Sequence, residues 1–247
     1  MKFVAHRGLA QYYPENTLLA LRKALELGVY AVECDVQCSA EGDLFLLHDL
    51  GLGRTSECHM ELTSLSSSQA RRISVHEPKR FGESFKPTLL NDLFQVFDLL
   101  ANFPEQYLFL EVKKEVFASQ SHTRLIKRLE DQLKHSFSGF NITQLIVICY
   151  DFDFLVELKS CMPKLKVGWV LTAFDAESQV LAERLGPDFL ICNERKLGAE
   201  LWAGSWQWLI YDICDLHKAK RLQQMGVNFI ESWDVKTLMS QWRAHEF

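Results

Sequence analysis

The chain has 247 residues, of which 48% are hydrophobic and 24% charged, with a formal net charge of −5. That balance excludes a disordered polymer, and the lack of a Lys/Arg stripe argues against a nucleic-acid partner. No apolar run approaches the roughly 20 residues that a membrane-crossing helix needs, so no transmembrane segment is predicted.

Short apolar runs alternate with segments of helical periodicity, the pattern of repeated βα units around a parallel sheet. Strands are predicted at 2–6, 30–36, 107–113, 144–150, 166–171, 188–192, 206–212 and 228–231. Helices are predicted at 16–27, 88–101, 119–136, 152–160, 176–185, 195–203, 215–225 and 235–244, so that a helix follows every strand. Asn16-Thr17 behind Pro14, Thr88 behind Pro87, and Asp215 mark helix starts. Gly28, Gly186 and Gly226 mark helix ends. The whole predicts one domain, residues 1–247, folded as a (β/α)8 TIM barrel, a fold commonly of this length.

One further strand, 43–48, breaks the rhythm. Only a few residues around Glu41-Gly42 separate it from strand 30–38, too few for a parallel crossover, so the pair is predicted to be an antiparallel hairpin. With the turn centred between Glu41 and Gly42, opposed positions sum to 83, which sets His48 across from Asp35. A slip of one residue would turn His48 to the other face. Residues 50–86 are rich in Ser and Glu and do not read as another βα unit. They are predicted to be an insertion passing over one end of the barrel.

The seven cysteines (Cys34, Cys38, Cys58, Cys149, Cys161, Cys192 and Cys214) include no C-x-x-C pair. The first strand runs straight into the charged His6-Arg7 pair with no signal-like apolar region ahead of it, so a cytoplasmic location and reduced thiols are expected. Zinc on the adjacent Cys58 and His59 lacks a second ligand pair and is set aside.

Four clusters fall at the carboxyl ends of predicted strands, where barrels carry their sites: His6-Arg7-Gly8, Glu33-Cys34-Asp35, His48-Asp49 and Glu111-Val112-Lys113. Glu33 and Asp35 share a face by strand parity, as do Glu111 and Lys113. Both pairs interrupt apolar runs and therefore need partners. Three carboxylates converging in a barrel call for a cation, and oxygen ligands suit Mg²⁺ or Ca²⁺ better than zinc. Arg7 offers a fork for phosphate oxygens and Lys113 a point charge beside the ion, although Lys113 could instead pair with Glu111. Histidine's ordinary pKa lies near neutrality, so His6 and His48 are candidates for acid and base; the alternative is core histidines bonded to backbone. Tyr150 and Tyr211, at strand ends, are candidates for the mouth of the barrel. Trp202, Trp206 and Trp208 are expected to pack between barrel and helices, and His122, His135, His217 and His245 to lie on the surface. A role for His59 and His76 at the rim stays open.

In this order these residues resemble the glycerophosphodiester phosphodiesterase family. The likeness rests on His6-Arg7-Gly8, Pro14-Glu15-Asn16-Thr17, Glu33-x-Asp35, His48-Asp49, Arg54-Thr55, Pro87-Thr88-Leu89 and Glu111-x-Lys113, and it is dense over residues 1–113. It implies a phospholipase-C-like barrel, a divalent cation on Glu33, Asp35 and Glu111, and His6 and His48 as the acid-base pair. It further implies that residues 50–86 are the family's insertion, and that Glu15 and Asn16 brace the first loop near the site, where they are candidate substrate-binding residues. The expected substrate is a small glycerophosphodiester, cleaved to glycerol 3-phosphate and an alcohol. Rival readings are a phosphodiesterase acting on lysophospholipids and a non-catalytic phosphodiester-binding protein. The second half departs from the family. Tyr211-Asp212-Ile213-Cys214-Asp215 stands where Trp-Thr-Val-Asn is usual, and Gly226 to Ser232 where the family usually ends in Thr-Asp, so the leaving alcohol stays open.

Overall fold

The computed structural model describes residues 1–134 and 139–245. Eight parallel strands close into a barrel: β1 (Lys2–Ala5), β2 (Ala31–Cys38), β4 (Tyr107–Val112), β5 (Leu145–Cys149), β6 (Lys166–Val170), β7 (Phe189–Asn193), β8 (Gln207–Tyr211) and β9 (Phe229–Ser232). Each pairs in parallel with its neighbours, and β1 pairs with both β2 and β9, which closes the ring. A short strand β3 (Leu44–Leu46) hangs antiparallel on β2, outside the ring. The fold is a (β/α)8 barrel with an added hairpin strand.

The helices are α1 (Leu18–Glu26), α2 (Ser67–Ala70), α3 (Pro78–Phe81), α4 (Leu93–Leu100), α5 (His122–Lys134), α6 (Phe152–Cys161), α7 (Ala176–Leu185), α8 (Leu216–Gln224) and α9 (Val235–Ala244). Their starts follow local chemistry: the side chains of Thr17, Asp151, Asp175 and Asp215 each accept a hydrogen bond from the first turn of their helix. Two expectations fail here. The helix predicted from Thr88 begins only at Leu93, capped by Asp92 with Gln95 reaching back. Residues 88–92 are extended instead, because Val75 N–H donates to Thr88 O, Leu90 N–H to Ile73 O and Leu46 N–H to Asn91 O. The helix predicted at 195–203 is only a single 3₁₀ turn, Glu194–Lys196. Leu197, Leu201 and Trp202 do pack on the core, but Trp202 stacks on Phe174 at 4.2 Å, and a Cβ at Gly198 would meet that ring at 2.5 Å. The aromatic contact holds a loop where apolar spacing suggested a helix. Positions 135–136 of the helix predicted at 119–136, and His135 with them, lie outside the described residues.

The hairpin register is also displaced by one. Val36 faces Leu46, Gln37 faces Phe45 and Cys38 faces Leu44. The turn is a three-residue loop closed by Ser39 and Asp43, with Gly42 at φ 84°, where a left-handed residue is required. In an unbroken ladder this register would turn His48 away from Asp35. The ladder stops at Leu46, however, and the chain leaves it at Leu47, whose N–H donates to Asp35 O at 3.1 Å. His48 lines the barrel's cavity all the same.

Inward positions repeat every second residue along each strand. The lower interior is filled by Tyr30, Tyr107, Phe109, Phe189, Phe229 and smaller aliphatics, with Phe109 and Phe189 edge to face at 5.0 Å. A Cβ at Gly168 would meet Ile148 and Ile191 at 2.9 Å, so the interior at this level leaves no room for one. A larger cluster joins the outer strand faces to the helices and contains Trp206 and Trp208. The insertion has its own small core, in which Leu52, Leu62, Leu65, Ala70 and Val75 pack on Phe45 and Leu47 beside β3.

Phe109 is fully buried, whereas Val180 is 63% exposed on α7. Phe109→Ala is therefore expected to lower unfolding free energy by about 3–5 kcal/mol, and Val180→Ala to change it by less than about 0.5 kcal/mol. Urea unfolding of the two variants checks both.

Candidate functional site

Above the aromatic layer the inward positions become polar. Continuing the parity of Val4 gives His6; of Ala31, Glu33 and Asp35; of Phe109, Glu111 and Lys113. The strands completing the ring add Tyr150 after β5, Tyr211 on β8 and Glu231 on β9. His6, Arg7, Asp35, His48, Glu111, Lys113, Tyr150, Tyr211, Asp212 and Glu231 line one cavity at this end, floored by Ile148, Val170 and Ile191.

Arg7 and Asn16 both have left-handed backbone, φ 55° and 52°, which costs free energy outside glycine. Each is held by several bonds. Arg7 N–H donates to Glu33 Oε2 at 2.9 Å, Asn16 N–H donates to Arg7 O at 3.1 Å, and Arg7 Nη1 donates to Glu15 Oε1 at 2.8 Å. Arg7 Nε lies 3.1 Å from Asp35 Oδ2 as an ion pair, without the alignment of a hydrogen bond. Asn16 grips Asp35 twice: its Nδ2 donates to Oδ2 at 2.9 Å, and its Oδ1 accepts from Asp35 N–H at 3.0 Å. Gly8 fits because a Cβ there would meet the backbone of Ala20 at 2.5 Å.

Glu15 and Asn16 thus stand behind the cavity wall and brace it. Glu15 also accepts from Arg54 Nη1 at 2.6 Å and Nη2 at 2.8 Å, and Arg54 Nε donates to Asp49 Oδ2 at 2.5 Å. Burial opposes the Glu15 charge, but the bonds from Arg54 and Arg7 outweigh it and hold the carboxyl below the usual range. His48 is half-buried, and its Nδ1 lies 2.7 Å from Asp49 Oδ1, a contact that orients the ring.

The carboxylates divide unequally. Burial opposes the charge of Asp35, yet Arg7 and Lys113 pull it down to about 2, helped by the bond from Asn16. Burial, with Asp35 next, pushes Glu111 up to about 7. Burial pushes Glu33 and Glu231 well above the ordinary range, with neighbouring carboxylates adding to the effect. Lys113 Nζ donates to Glu111 Oε1 at 2.7 Å and sits 3.4 Å from Asp35 Oδ1. Oxygens of Glu33, Asp35 and Glu111 lie within 4.8 Å of one another, and Glu33 Oε1 is buried with no hydrogen-bond partner. An oxygen-only cluster with an orphaned acceptor and unrelieved repulsion fits a hard divalent cation. His6 is 3.5 Å from Glu231 and 4.0 Å from Glu33 through Nε2, its Nδ1 is unpartnered, and burial, then Arg7, lowers it to about 3.

Of the residues expected at the site, His6, Arg7, Asp35, His48, Glu111, Lys113, Tyr150 and Tyr211 line the cavity and Glu15, Asn16 and Glu33 stand directly behind them, whereas His59 and His76 do not line it. Sequence reasoning assigned no place to Glu231, Asp212, Arg54 or Glu77, whose carboxylate accepts from Glu15 N–H. Glu231 had a usable signal, a lone charge in the apolar strand Phe229–Ser232. Arg54 and Glu77 gave no periodic one, because they reach the site from the insertion. Tyr150 and Tyr211 meet across the cavity, hydroxyl to hydroxyl, at 3.1 Å.

Residues 6–197 match the Glycerophosphoryl diester phosphodiesterase family. The chain belongs to this family. A glycerophosphodiester phosphodiesterase of Caldanaerobacter subterraneus subsp. tengcongensis is 26% identical over 166 residues, 67% of this chain and 64% of that protein. A glycerophosphoinositol inositolphosphodiesterase of Mus musculus is 44% identical over 73 residues, 30% of this chain and 12% of that one. The matched segments span less than two thirds of either relative. Among solved structures, an Oleispira antarctica phosphodiesterase in complex with the product sn-glycerol-3-phosphate superposes with a TM-score of 0.84 at 22% identity, covering 97% of this chain and 96% of that one, a likeness of fold. Among the described residues no helix is long and apolar enough to cross a membrane.

The raised Glu111 gives a test of the crowding. Its folded pKa of about 7 exceeds the ordinary 4.5, so its stabilising contribution is complete below the ordinary value and is lost as pH rises through about 7. In EDTA, the wild type is expected to lose roughly 2–3 kcal/mol relative to Glu111→Gln between pH 4.5 and 8. Urea midpoints across that range measure it, and parallel curves for the two proteins would refute it.

Proposed function

We propose that the chain, as one domain with the 50–86 insertion, hydrolyses glycerophosphodiesters to glycerol 3-phosphate and an alcohol. The observation that carries this reading is the Glu33, Asp35 and Glu111 triplet set beside Arg7 and Lys113 in a single cavity. A divalent cation held there, Mg²⁺ or Ca²⁺, would supply Lewis-acid polarisation of a non-bridging phosphoryl oxygen. Arg7 has guanidinium donors for the other phosphoryl oxygens and is kept charged, since Asp35, Glu15 and Glu33 outweigh its burial. Lys113 adds a second positive charge, released from Glu111 as that carboxylate turns to the ion. His48, oriented by Asp49 through Nδ1, presents Nε2 to the substrate; His6 faces it from the end of β1. One histidine removes the proton of the attacking oxygen and the other protonates the departing alkoxide. Tyr150 and Tyr211 form the wall that meets the substrate's remaining atoms.

The resemblance over residues 1–113 and the family match support this activity, and the product bound in the Oleispira antarctica structure agrees with it. A cytoplasmic location remains part of the reading. One observation favours a lysophospholipid as a second substrate: Leu50 and Met60, 36% and 48% exposed, flank the Gly51–Glu61 bridge just beyond His48. Turnover of glycerophosphocholine, glycerophosphoethanolamine, glycerophosphoglycerol and lysophosphatidylcholine with Mg²⁺, Ca²⁺ or Mn²⁺ separates the two, and no turnover of any would leave a binding protein.

Loss of activity alone does not distinguish a cation ligand from a proton carrier. His6→Ala and His48→Ala are expected to lose about 10²-fold or more in kcat/KM with cation affinity near native by calorimetry. The double variant should lose much less than the product of the two effects. Glu33→Gln should lose both activity and affinity, and EDTA should abolish wild-type turnover. A histidine variant that loses the cation would instead make that histidine a ligand.

A further inference from the structure

A second group of possible ligands lies in the insertion and uses no residue of the cavity: Glu57, His76 and Glu83, with one donor atom from each within 4.8 Å of the others. Two exposed carboxylates carry no inference by themselves. His76 changes the argument, because its side chain is fully buried and its Nε2 has no hydrogen-bond partner, yet lies 3.9 Å from Glu83 Oε1. The other ring nitrogen, Nδ1, is 2.9 Å from Ser74 Oγ. Ser74 Oγ also accepts from Thr88 N–H at 3.2 Å, which fixes the hydroxyl that meets the ring. If Nδ1 carries the proton and donates to Ser74, a bare Nε2 lone pair is left aimed at the two carboxylates. This is the tautomer and outer partner that a metal-bound imidazole normally has. If the proton is on Nε2 instead, a buried donor is left without an acceptor, which is costly.

Lys86 already stands where positive charge is wanted. Its Nζ is 2.8 Å from Glu57 Oε2 and 3.3 Å from Glu83 Oε2. The ammonium neutralises the carboxylates, yet His76 Nε2 receives no hydrogen bond from it or from any other group.

We infer that Glu57, His76 and Glu83 form a site for a Zn²⁺-class divalent ion, with water completing the shell and Lys86 displaced. One nitrogen and two oxygens suit zinc, whereas an oxygen-only set suits Mg²⁺ or Ca²⁺. Tetrahedral bonds of about 2.0–2.1 Å need donors about 3.4 Å apart, so the ligand atoms must close by roughly an ångström. Glu57 and Glu83 have exposed side chains free to make that movement. The ion would tie together three separate stretches of the insertion. It would also anchor His76 directly before Glu77, which accepts from Glu15 N–H and pairs with Arg80 at 2.7 Å. A structural ion here would thus steady the support of Glu15, and through it Arg7 and Arg54.

The test uses the full chain with Glu33→Gln and Glu111→Gln to weaken the barrel cluster, and with Cys161→Ser and Cys214→Ser to remove the exposed thiols. Calorimetry with Zn²⁺ is expected to show one site, and bound Zn²⁺ to raise Tm. In that background Glu57→Gln and Glu83→Gln, both surface changes, should each weaken binding at least 10-fold and remove the Tm shift, while Lys86→Met should strengthen it several-fold. No Zn²⁺ binding, or binding unchanged in the Glu57→Gln/Glu83→Gln double variant, overturns the assignment. So does binding lost in Cys58→Ser but kept in that double variant, which would place the ion on the neighbouring thiol. Stronger binding of Mg²⁺ than Zn²⁺ would exclude the nitrogen ligand. Turnover enters none of these readouts, so they stand or fall apart from the proposed hydrolase activity.

Discussion

Negative charge crowded into a closed ring dominates this molecule. Glu33, Asp35 and Glu111 bring oxygens within 4.8 Å of one another, and two unit charges at that distance repel by about 3.5 kcal/mol at an effective dielectric constant of 20. Glu231 adds a fourth carboxylate from β9, the strand that flanks β1 on its other side. The cations at hand are Arg7, Lys113 and, behind the wall, Arg54. Asp35 takes the largest share of them, with Arg7, Lys113 and both ends of the Asn16 amide, so it alone of the four titrates low. The others are raised, by burial first and by their neighbouring carboxylates second. A hard cation with oxygen ligands would remove that repulsion, so the same arrangement that disfavours the empty cluster fits a cation.

The strained first loop follows from the same need. Arg7 reaches Asp35 and Glu15 together from a left-handed backbone, and Asn16 clasps Asp35 with both amide atoms from another. Neither conformation is favourable alone. Glu15 pins the loop through Arg7, and Arg54 and Glu77 pin Glu15 from the insertion. Residues 50–86 are consequently more than a cover. Their small apolar core on Phe45 and Leu47 sets the position of an arginine and a carboxylate that the barrel's own strands do not provide.

Strands were legible because an inward position every two residues forces short apolar runs, and those runs end in charge where the barrel opens: Val4 to His6, Ala31 to Asp35, Phe109 to Lys113. Helices were legible where a cap and an apolar face agreed, as at Asp215 and Gly186. The reading failed where tertiary contacts overrode periodicity. Residues 88–92 have helical spacing but pair with the insertion and β3, and 195–203 gave way to the stack of Phe174 on Trp202. The hairpin erred by one residue because Gly42 admits a three-residue loop, a choice that alternation alone does not decide. Arg54 and Glu77 were illegible as site residues for a different reason: their partners are 39 and 62 residues away, in a loop without repeat.

Under the proposed function, the groups that would hold the phosphate and those that would meet the alcohol are separated in space. Arg7, Lys113 and the three clustered carboxylates come from β1, β2 and β4, adjacent in the ring. Tyr150 follows β5, and Tyr211 and Asp212 close β8, on a stretch where the sequence departs from the residues usual in the family it resembles. Burial raises Tyr150 and, with the hydroxyls facing each other, both phenols stay neutral at ordinary pH. In that reading the neutral phenols would not compete with Arg7 and Lys113 for a phosphoryl group, so changes at Tyr150 and Tyr211 would alter what the phosphate is attached to without altering how it is held. Substitutions in the second half would then shift the alcohol accepted while the carboxylate cluster of the first half stays intact.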